Sequence, residues 1–291
     1  MFVLAHLSDV HLAPLPPVNP AELFSKRGLG FLNWLRKRRS IHRADVLARI
    51  VTDLNAQHTD HVAVTGDLVN LSLSNEFAPA RQWLERLGPA TDVTFVPGNH
   101  DAYVRAAATA AQQAWDPYMR GDGGEVFPFV RRRGPIALIG LSTSIPTLPL
   151  AATGRLGEDQ LETLGYALAA LGDEGLFRVV LVHHPPSGAN RFRRLVDAEA
   201  LREVLRKHGA ELVLHGHNHE TSLVWLGGPR FLIPSIGVPS ASAAPGHHDD
   251  PAGYNLYEID GGPGDWRCTA ISRGLRDDGS IGETNRTELA D

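Results

Sequence analysis

Acidic, amide and imidazole side chains follow several short apolar segments of this 291-residue chain. They occur in five blocks, at 9–11 (Asp-Val-His), 66–67 (Gly-Asp), 98–101 (Gly-Asn-His-Asp), 183–186 (His-His-Pro-Pro) and 215–219 (His-Gly-His-Asn-His). Oxygen and imidazole ligands without thiolates suit Mn, Fe, Zn or Co, and the single Cys268 cannot supply a thiolate cluster. The blocks hold at least seven candidate ligands, whereas a catalytic zinc needs only about three. The sequence therefore predicts two metal ions bridged by one carboxylate.

The spacing within the blocks also favours a shared site. In the tripeptides 9–11 and 217–219 the two outer side chains of an extended backbone would point the same way. Gly66, Gly98 and Gly216 permit sharp turns and a close approach of the backbone. We therefore expect each tripeptide to place two ligands in one site.

Alternating strand and helix patterns surround these blocks. Continuous apolar runs indicate strands buried on both faces, and amphipathic stretches between them indicate helices, so an α/β layered fold is predicted. Ligands bind at the carboxyl edge of such sheets, where segments distant in sequence converge. The predicted strands are 2–8, 61–65, 93–97, 136–141, 178–182 and 211–214, and the predicted helices are 44–57, 76–87, 105–118, 158–171 and 197–208.

The composition sets limits on the class of protein. Apolar residues make up 43% and charged residues 21%, as in ordinary globular proteins. The net charge of −5 argues against general nucleic-acid binding. The chain shows no signal-peptide pattern and no apolar run of transmembrane length, so we expect a cytoplasmic protein.

We expect a single domain over residues 1–275. Further strands at 231–236, 254–259 and 266–271 would complete a second sheet. The polar tail 276–291 is expected to be frayed.

In this order, the D-x-H, G-D, G-N-H-D, H-P-P and G-H-x-H blocks resemble the calcineurin-like binuclear metallophosphoesterases. The resemblance covers residues 9–219, about three quarters of the chain. It implies a four-layer α/β/β/α sandwich of two mixed sheets flanked by helices. It also implies that Asp67 bridges two metals, the first held with Asp9, His11 and His219 and the second with Asn99, His183 and His217.

The chemistry that the resemblance implies is hydrolysis of a phosphoester by in-line attack of a hydroxide held between the metals. His100 would act as general acid or charge stabiliser beside the leaving oxygen, and Asp101 would orient it. Of the adjacent histidines, His183 is favoured as the ligand because it ends the apolar strand. His184 then supports a ligand or contacts substrate. Any one of these histidines, taken alone, is more typical of a buried structural residue than of a ligand.

Two further features bear on the substrate. An insert at 22–43 interleaves Trp, Phe and Leu with Lys and Arg, so it either binds an anionic membrane surface peripherally or packs its apolar side on the core. It follows the first block directly and would wall the mouth of the site. Arg191, Arg193 and Arg194 either contact a substrate phosphate or begin a surface helix.

These features predict an enzyme acting on a small phosphoester that is nucleotide- or lipid-linked. The resemblance favours a phosphodiesterase over a monoesterase, because G-N-H-D with H-H-P-P is similar to bacterial cyclic-nucleotide and glycerophosphodiester phosphodiesterases. The alternative is a membrane-associated pyrophosphate hydrolase acting on a UDP-linked acylated sugar of lipid A synthesis, since some such members carry a similar insert. A catalytically inert, metal-stabilised binding scaffold is disfavoured, because His100 and every proposed ligand are present.

Overall fold

The computed structural model describes residues 1–148, 151–246 and 250–290, and the strands in this part of the chain form two six-stranded sheets. The strands are β1 (Phe2–Leu7), β2 (His61–Val64), β3 (Val93–Phe95), β4 (Phe129–Arg133), β5 (Ile136–Gly140), β6 (Phe177–Leu181), β7 (Leu212–His215), β8 (Ser222–Gly227), β9 (Leu232–Gly237), β10 (Gly253–Gly262), β11 (Asp265–Leu275) and β12 (Ile281–Ala290). The helices are α1 (Lys26–Asn33), α2 (Arg39–Ile41), α3 (Ala44–Asn55), α4 (Phe77–Leu87), α5 (Arg105–Trp115), α6 (Glu158–Asp173) and α7 (Ala198–His208).

The first sheet has the order β12-β11-β10-β1-β2-β3. Strands β1, β2 and β3 are parallel, with Leu4 opposite His61 and Val62 opposite Val93. Parallel neighbours need a crossover, and helices α3 and α4 lie in the two connections. Strand β10 runs antiparallel to β1, and β11 and β12 extend the sheet as antiparallel hairpins.

The second sheet has the order β4-β5-β6-β7-β9-β8. Its central strands β5, β6, β7 and β9 are parallel, and the edge strands β4 and β8 are antiparallel to their neighbours. Helices α6 and α7 cover its outer face, where Leu164, Leu168 and Leu205 pack in one buried cluster with Val180 and Val213. The carboxyl ends of β6 and β7 therefore lie at the same edge of the sheet.

The two sheets pack face to face between helical layers. Phe177 of the second sheet meets Trp266 of the first at a ring-centroid distance of 5.6 Å. On the other side of the first sheet, helix α3 buries Ile50 and Leu54, which are four residues apart on one helix face. The predicted four-layer α/β/β/α sandwich is confirmed.

The last third of the chain differs from the prediction. Residues 281–290 of the predicted frayed tail form strand β12, with Leu275 opposite Ile281, so the prediction is wrong there. Leu289 is 4% exposed. Main-chain pairing with β11 orders this segment as a strand, although its polar composition does not indicate one. Of the late strands expected to complete the second sheet, β9 does so, whereas β10 and β11 belong to the first.

The insert at 22–43 folds as a run of short helical segments. A 3₁₀ turn at Pro20–Leu23 leads to α1, which Ser25 caps by accepting a hydrogen bond from the Arg27 N–H, and a π-helical turn at Trp34–Arg38 leads to α2. Trp34 is buried, so one side of the insert packs on the protein. No helix in the described ranges combines the length and the apolar character needed to cross a bilayer.

Candidate metal centre

The side chains that follow β1, β2, β3, β6 and β7 converge at one edge of the two sheets. All of the ligands predicted from the sequence are buried there, none being more than 6% exposed. Burial of so many polar groups requires partners for each of them. The converging residues are Asp9, His11, Asp67, Asn99, His183, His217 and His219.

Each of the two carboxylates is held at one oxygen by a backbone N–H. The His100 N–H donates to Asp67 Oδ1 at 2.7 Å, and the His217 N–H donates to Asp9 Oδ2 at 2.9 Å. The other oxygens face imidazoles: Asp67 Oδ2 lies 3.4 Å from His183 Nε2. One oxygen of each carboxylate is thus directed at the cluster.

The imidazoles are oriented from behind by backbone carbonyls. His11 Nδ1 lies 3.2 Å from the Val69 carbonyl, and His183 Nδ1 lies 2.6 Å from the Thr65 carbonyl. With these nitrogens donating, Nε2 of each ring presents its lone pair to the cluster, as metal-bound histidines do. His11 Nε2 is buried and has no hydrogen-bond partner among the described residues. A metal ion would satisfy it.

His217 follows β7 of the second sheet, and Asn99 follows β3 of the first sheet. His217 Nε2 donates to the Arg193 carbonyl at 2.8 Å, which leaves Nδ1 3.3 Å from His183 Nε2. Asn99 Oδ1 is also 3.3 Å from His183 Nε2. These atoms surround one point, and His183 faces it, in keeping with its predicted role.

Two groups of donors fit a metal ion, each with ligand atoms within 4.8 Å of one another. One comprises Asp9, His11 and His219, and the other comprises Asp9, Asp67 and His183. The resemblance assigned the shared position to Asp67, and its Oδ2 lies 3.8 Å from His11 Nε2 in the first group. The residue common to both groups is Asp9 rather than Asp67, although Asp67 also lies near the first group. The donor set as a whole fits a dinuclear metal site.

The charges of the cluster favour cations. Burial opposes ionisation of Asp9 and Asp67, but the imidazoles of His219 and His183 outweigh it and lower the pKa of each carboxyl. Burial likewise disfavours the charged His183, yet Asp67 and then Asp9 raise its pKa to about 9. Positive charge is thus stabilised at the point where a metal would lie.

The backbone of the ligand residues departs from the extended form that the sequence predicted. Five of the seven ligand residues lie at positive φ, in the left-handed region, which costs roughly 1–3 kcal/mol for each such residue. Hydrogen bonds from the Asp9 N–H to the Gly66 carbonyl (3.0 Å) and from the His11 N–H to the Asp67 carbonyl (2.9 Å) hold the first block in this turn. The five residues are Asp9 (52°), His11 (41°), Asp67 (55°), His217 (73°) and His219 (60°).

Glycine is needed where the backbone passes the ligands. A Cβ on Gly98 would overlap Asp67 Oδ1 and the His183 ring, and a Cβ on Gly216 would overlap Asp9 Oδ2. The close approach predicted for these glycines is therefore an approach to the carboxylates themselves.

Asp101 does not orient His100, which corrects the prediction. Its carboxylate instead accepts backbone N–H groups of Asp67 (2.7 Å), Leu68 (2.9 Å) and Gly98 (2.8 Å). Burial and then the Asp67 charge raise the pKa of Asp101, while these donors favour its charged form. Asp101 thus shapes the loop that carries Asp67.

His100 lines a cavity of about 150 Å³ above the ligands. Its Nδ1 lies 2.5 Å from the Asn70 carbonyl, so the second nitrogen, Nε2, is the one left for a substrate. Arg38 Nη1 lies 3.3 Å from the same Nδ1. Burial and then Arg38 lower the pKa of His100 to about 3, so the ring is neutral without substrate.

The predicted substrate residues separate into two groups. Arg193 lines the cavity, whereas Arg191 is exposed and stacks on Phe192, and Arg194 is exposed outside the cavity lining. His184 is fully buried, with Nδ1 2.7 Å from Thr143 Oγ1 and Nε2 3.2 Å from the Ala152 carbonyl. Because both ring nitrogens are engaged within the protein, His184 supports the neighbouring ligands rather than contacting substrate.

The sequence patterns did not single out two residues of the site, Arg38 and His42. Arg38 was only one cation of the insert, yet it lines the same cavity as Arg193. His42, also in the insert, packs its ring 4.3 Å from that of His11 and lies 2.9 Å from Ser242 Oγ. The position of the insert directly after the first block was the signal for both.

Known structures share this architecture. A dimetal phosphatase from Danio rerio aligns with a TM-score of 0.65 at 15% identity, over 99% of this chain and 98% of that one. A purple acid phosphatase from yellow lupin (Lupinus luteus) seeds aligns with a TM-score of 0.58 at 13% identity, over 99% of this chain and 53% of that one. The NAD nucleotidase of Haemophilus influenzae aligns with a TM-score of 0.50 at 12% identity, over 99% and 50%. At these identities the likeness shows the fold.

Comparison with curated proteins found no match. Residues 2–221, by contrast, match the calcineurin-like phosphoesterase family, and that range contains every ligand of the cluster. The chain belongs to the calcineurin-like phosphoesterase family.

Proposed function

We propose that the protein is a metal-dependent phosphodiesterase. The observation that carries the proposal is one cavity lined by Asp67 and His219 of the ligand cluster, by His100, and by the guanidinium groups of Arg38 and Arg193. The ligand cluster suits cations, and the two guanidinium groups suit the oxygens of a phosphate. Bound metal ions would supply a nucleophile at neutral pH and neutralise charge on the phosphate.

The side chains that line the cavity would bind the phosphate and exchange a proton with the leaving oxygen. Arg38 and Arg193 line the same cavity, so together they would hold phosphate oxygens. His100 would exchange a proton with the leaving oxygen through Nε2. A phosphate anion next to Arg38 would offset the charge that lowers the pKa of His100, and so would favour the protonated ring that a general acid requires.

The preference for diesters rests on the G-N-H-D and H-H-P-P blocks. Their His100 is placed at the cavity, and their His183 and His184 lie behind it with ring centroids 5.0 Å apart. The inert-scaffold alternative remains disfavoured, because every proposed ligand is present and His100 lines the cavity beside them.

The test is hydrolysis of bis-p-nitrophenyl phosphate and p-nitrophenyl phosphate by the Mn-loaded protein. We expect faster turnover of the diester, and a loss of about a hundred-fold or more in kcat for His100→Ala with both metals retained. Asp67→Ala should lose metal as well as activity. His58→Asn changes an exposed histidine outside the cavity and serves as the control.

Clear outcomes separate the alternatives. Faster turnover of the monoester would overturn the diester preference, and a metal-loaded protein inert on both substrates would favour the scaffold. Retention of two ions by Asp67→Ala would show that this carboxylate does not bridge them.

A second candidate is hydrolysis of the pyrophosphate bond of a UDP-linked acylated sugar. The observation that favours it is the set of apolar side chains exposed on the insert beside the cavity, among them Leu29, Leu32 and Leu35. Turnover of UDP-diacylglucosamine that exceeds turnover of cyclic AMP and of bis-p-nitrophenyl phosphate would select this candidate.

A further inference from the structure

The insert at 22–43 has an inner side that is built into the protein. Arg27 Nε donates to the Leu71 carbonyl at 3.1 Å, and Gly30 lies against Leu71 and Tyr103 so closely that a Cβ would overlap both. Trp34 is 9% exposed, and Arg38 reaches the cavity. These residues are three or four apart, which places them on one side of the helical run. The inner side therefore fixes the insert in place.

The outer side of the insert is apolar and exposed. Leu29, Leu32 and Leu35, again three apart, are 55%, 42% and 45% exposed, and Phe24 before the helix is 92% exposed. Single exposed leucines are common on soluble proteins, but a contiguous group marks an interaction surface. We call the exposed residues Phe24, Leu29, Leu32, Leu35, Arg36, Lys37 and Arg39 the outer face.

The charge of residues 24–43, which exclude Glu22 at the start of the insert, has one sign. Residues 24–43 contain seven Lys and Arg and no Asp or Glu, although the whole chain carries a net charge of −5. Within the described ranges, no ion pair involves Arg36, Lys37 or Arg39, and all three are exposed. The outer face thus combines apolar side chains with uncompensated cations.

The outer face continues to the mouth of the cavity. Lys26 Nζ donates to Thr147 Oγ1 at 3.1 Å, and the next residue, Leu148, is 80% exposed. Ala152 of the same loop lines the cavity and donates its N–H to the carbonyl of Phe192, itself 54% exposed. Two exposed apolar side chains, Leu148 and Phe192, thus belong to segments that contact the insert or the cavity lining.

We propose that the outer face binds an anionic lipid surface and that the substrate is a phosphoester presented at such a surface. The identity of the substrate class rests on the proposed phosphoesterase function, whereas the binding does not. Leucines flanked by unpaired Arg and Lys suit the boundary between anionic headgroups and acyl chains. The inner side would then hold Arg38 and the cavity next to the lipid headgroups.

Sedimentation with vesicles tests the binding. The metal-loaded protein is mixed with vesicles of phosphatidylcholine alone or of phosphatidylcholine with phosphatidylglycerol. We expect binding to the anionic vesicles only. Arg36→Gln/Lys37→Gln/Arg39→Gln should weaken it by on the order of a hundred-fold, since each charge near the surface is worth roughly five-fold. Leu29→Ser/Leu32→Ser/Leu35→Ser should abolish stable binding.

A matched control distinguishes vesicle binding by the outer face from non-specific binding through other exposed apolar residues. Phe231→Ser/Leu232→Ser removes two exposed apolar side chains, 49% and 59% exposed, where β9 begins, at the opposite end of the sheet from the ligands. It should bind vesicles as the unaltered protein does. Absence of binding to anionic vesicles, equal binding by the outer-face variants, or lipid-free self-association lost in those variants would overturn the proposal.

Hydrolysis of bis-p-nitrophenyl phosphate without lipid separates the two proposals. All of the vesicle variants should keep this activity, because none of the altered residues lines the cavity. Activity without vesicle binding would refute the lipid surface and leave the phosphoesterase intact. Vesicle binding without activity on any phosphoester would refute the phosphoesterase function and leave the lipid-binding proposal intact.

Discussion

Replacement of Arg38 by glutamine should impair substrate turnover and leave the metals in place. Its guanidinium lines the cavity, and its Nη1 lies 3.3 Å from His100 Nδ1, but it contacts no carboxylate of the ligand cluster within ion-pair distance. The described ion pairs of Asp9 and Asp67 are made with histidines only. Arg38 is therefore not needed to hold the ligand carboxylates in place, and its removal should leave the metals bound.

The size of the effect follows from one lost charge-assisted contact. A hydrogen bond to a charged group contributes about 1.5–3 kcal/mol, and each 1.4 kcal/mol is about a factor of ten. Arg38→Gln should therefore lower kcat/KM for bis-p-nitrophenyl phosphate by roughly 10- to 150-fold. Arg38→Lys should recover part of the loss, since a lysine keeps the charge without the bidentate geometry.

The adjacent residue provides the control. Arg39 is exposed and does not line the cavity, so Arg39→Gln should keep kcat/KM within about two-fold. Steady-state kinetics are measured together with metal content by atomic emission. Equal kinetics for the Arg38 and Arg39 variants, or loss of metal in Arg38→Gln, would refute the role of Arg38 as a phosphate contact.

Three further changes test the framework of the site and of the fold. Gly98→Ala should lower metal content, with about 10- to 100-fold weaker binding, because the new Cβ displaces Asp67 Oδ1. Burial, and then nearby arginines, lower the pKa of His61 from 6.5 to about 3. Between these two pH values His61 is protonated in the unfolded chain but neutral in the folded protein. The free energy of unfolding therefore decreases as the pH falls from about 6.5, by about 2 kcal/mol at pH 5. Urea unfolding at both pH values should show a smaller fall for His61→Gln. Arg131→Lys should cost about 3 kcal/mol in urea unfolding, because the buried guanidinium donates to four backbone carbonyls that one ammonium cannot reach together.

Each of these three expectations has a contrary result. Full metal content in Gly98→Ala would mean that the loop can move away from Asp67. An unchanged pH dependence in His61→Gln would assign the acid sensitivity to other groups. Equal stability of Arg131→Lys and the unaltered protein would show that water replaces the guanidinium at those carbonyls.

The strands that could be predicted from the sequence are those with a continuous apolar run. Strands β2, β6 and β7 are buried at every residue, and such runs are continuous in sequence. Strand β12 lies at a sheet edge and has an unbroken polar run at 283–288, so its sequence resembles that of a solvated tail. Strand β8 likewise has four exposed residues of six and depends on β9 for its pairing. Edge strands of this kind are determined by their neighbours more than by their own composition.

The site shows the same division between residue type and backbone. Ligand types could be identified because each block ends a buried strand, and the structure brings them together at one edge. The left-handed turns at Asp9 and His217 could not be read from the sequence, since non-glycine residues rarely adopt them. Nor could the partner of Asp101, because its four backbone donors belong to loops whose path only the fold determines.

The insert explains why motifs alone describe this site incompletely. The ordered blocks contain the ligands and His100, whereas Arg38 comes from a segment outside every block. The same segment also contains His42, whose ring lies against those of His11 and His219. Its outer face is apolar and basic, so any surface that it binds would lie beside the cavity that its inner side completes. Because one run of helical turns forms both sides, the residues that would contact phosphate and the residues that face outward cannot be positioned independently.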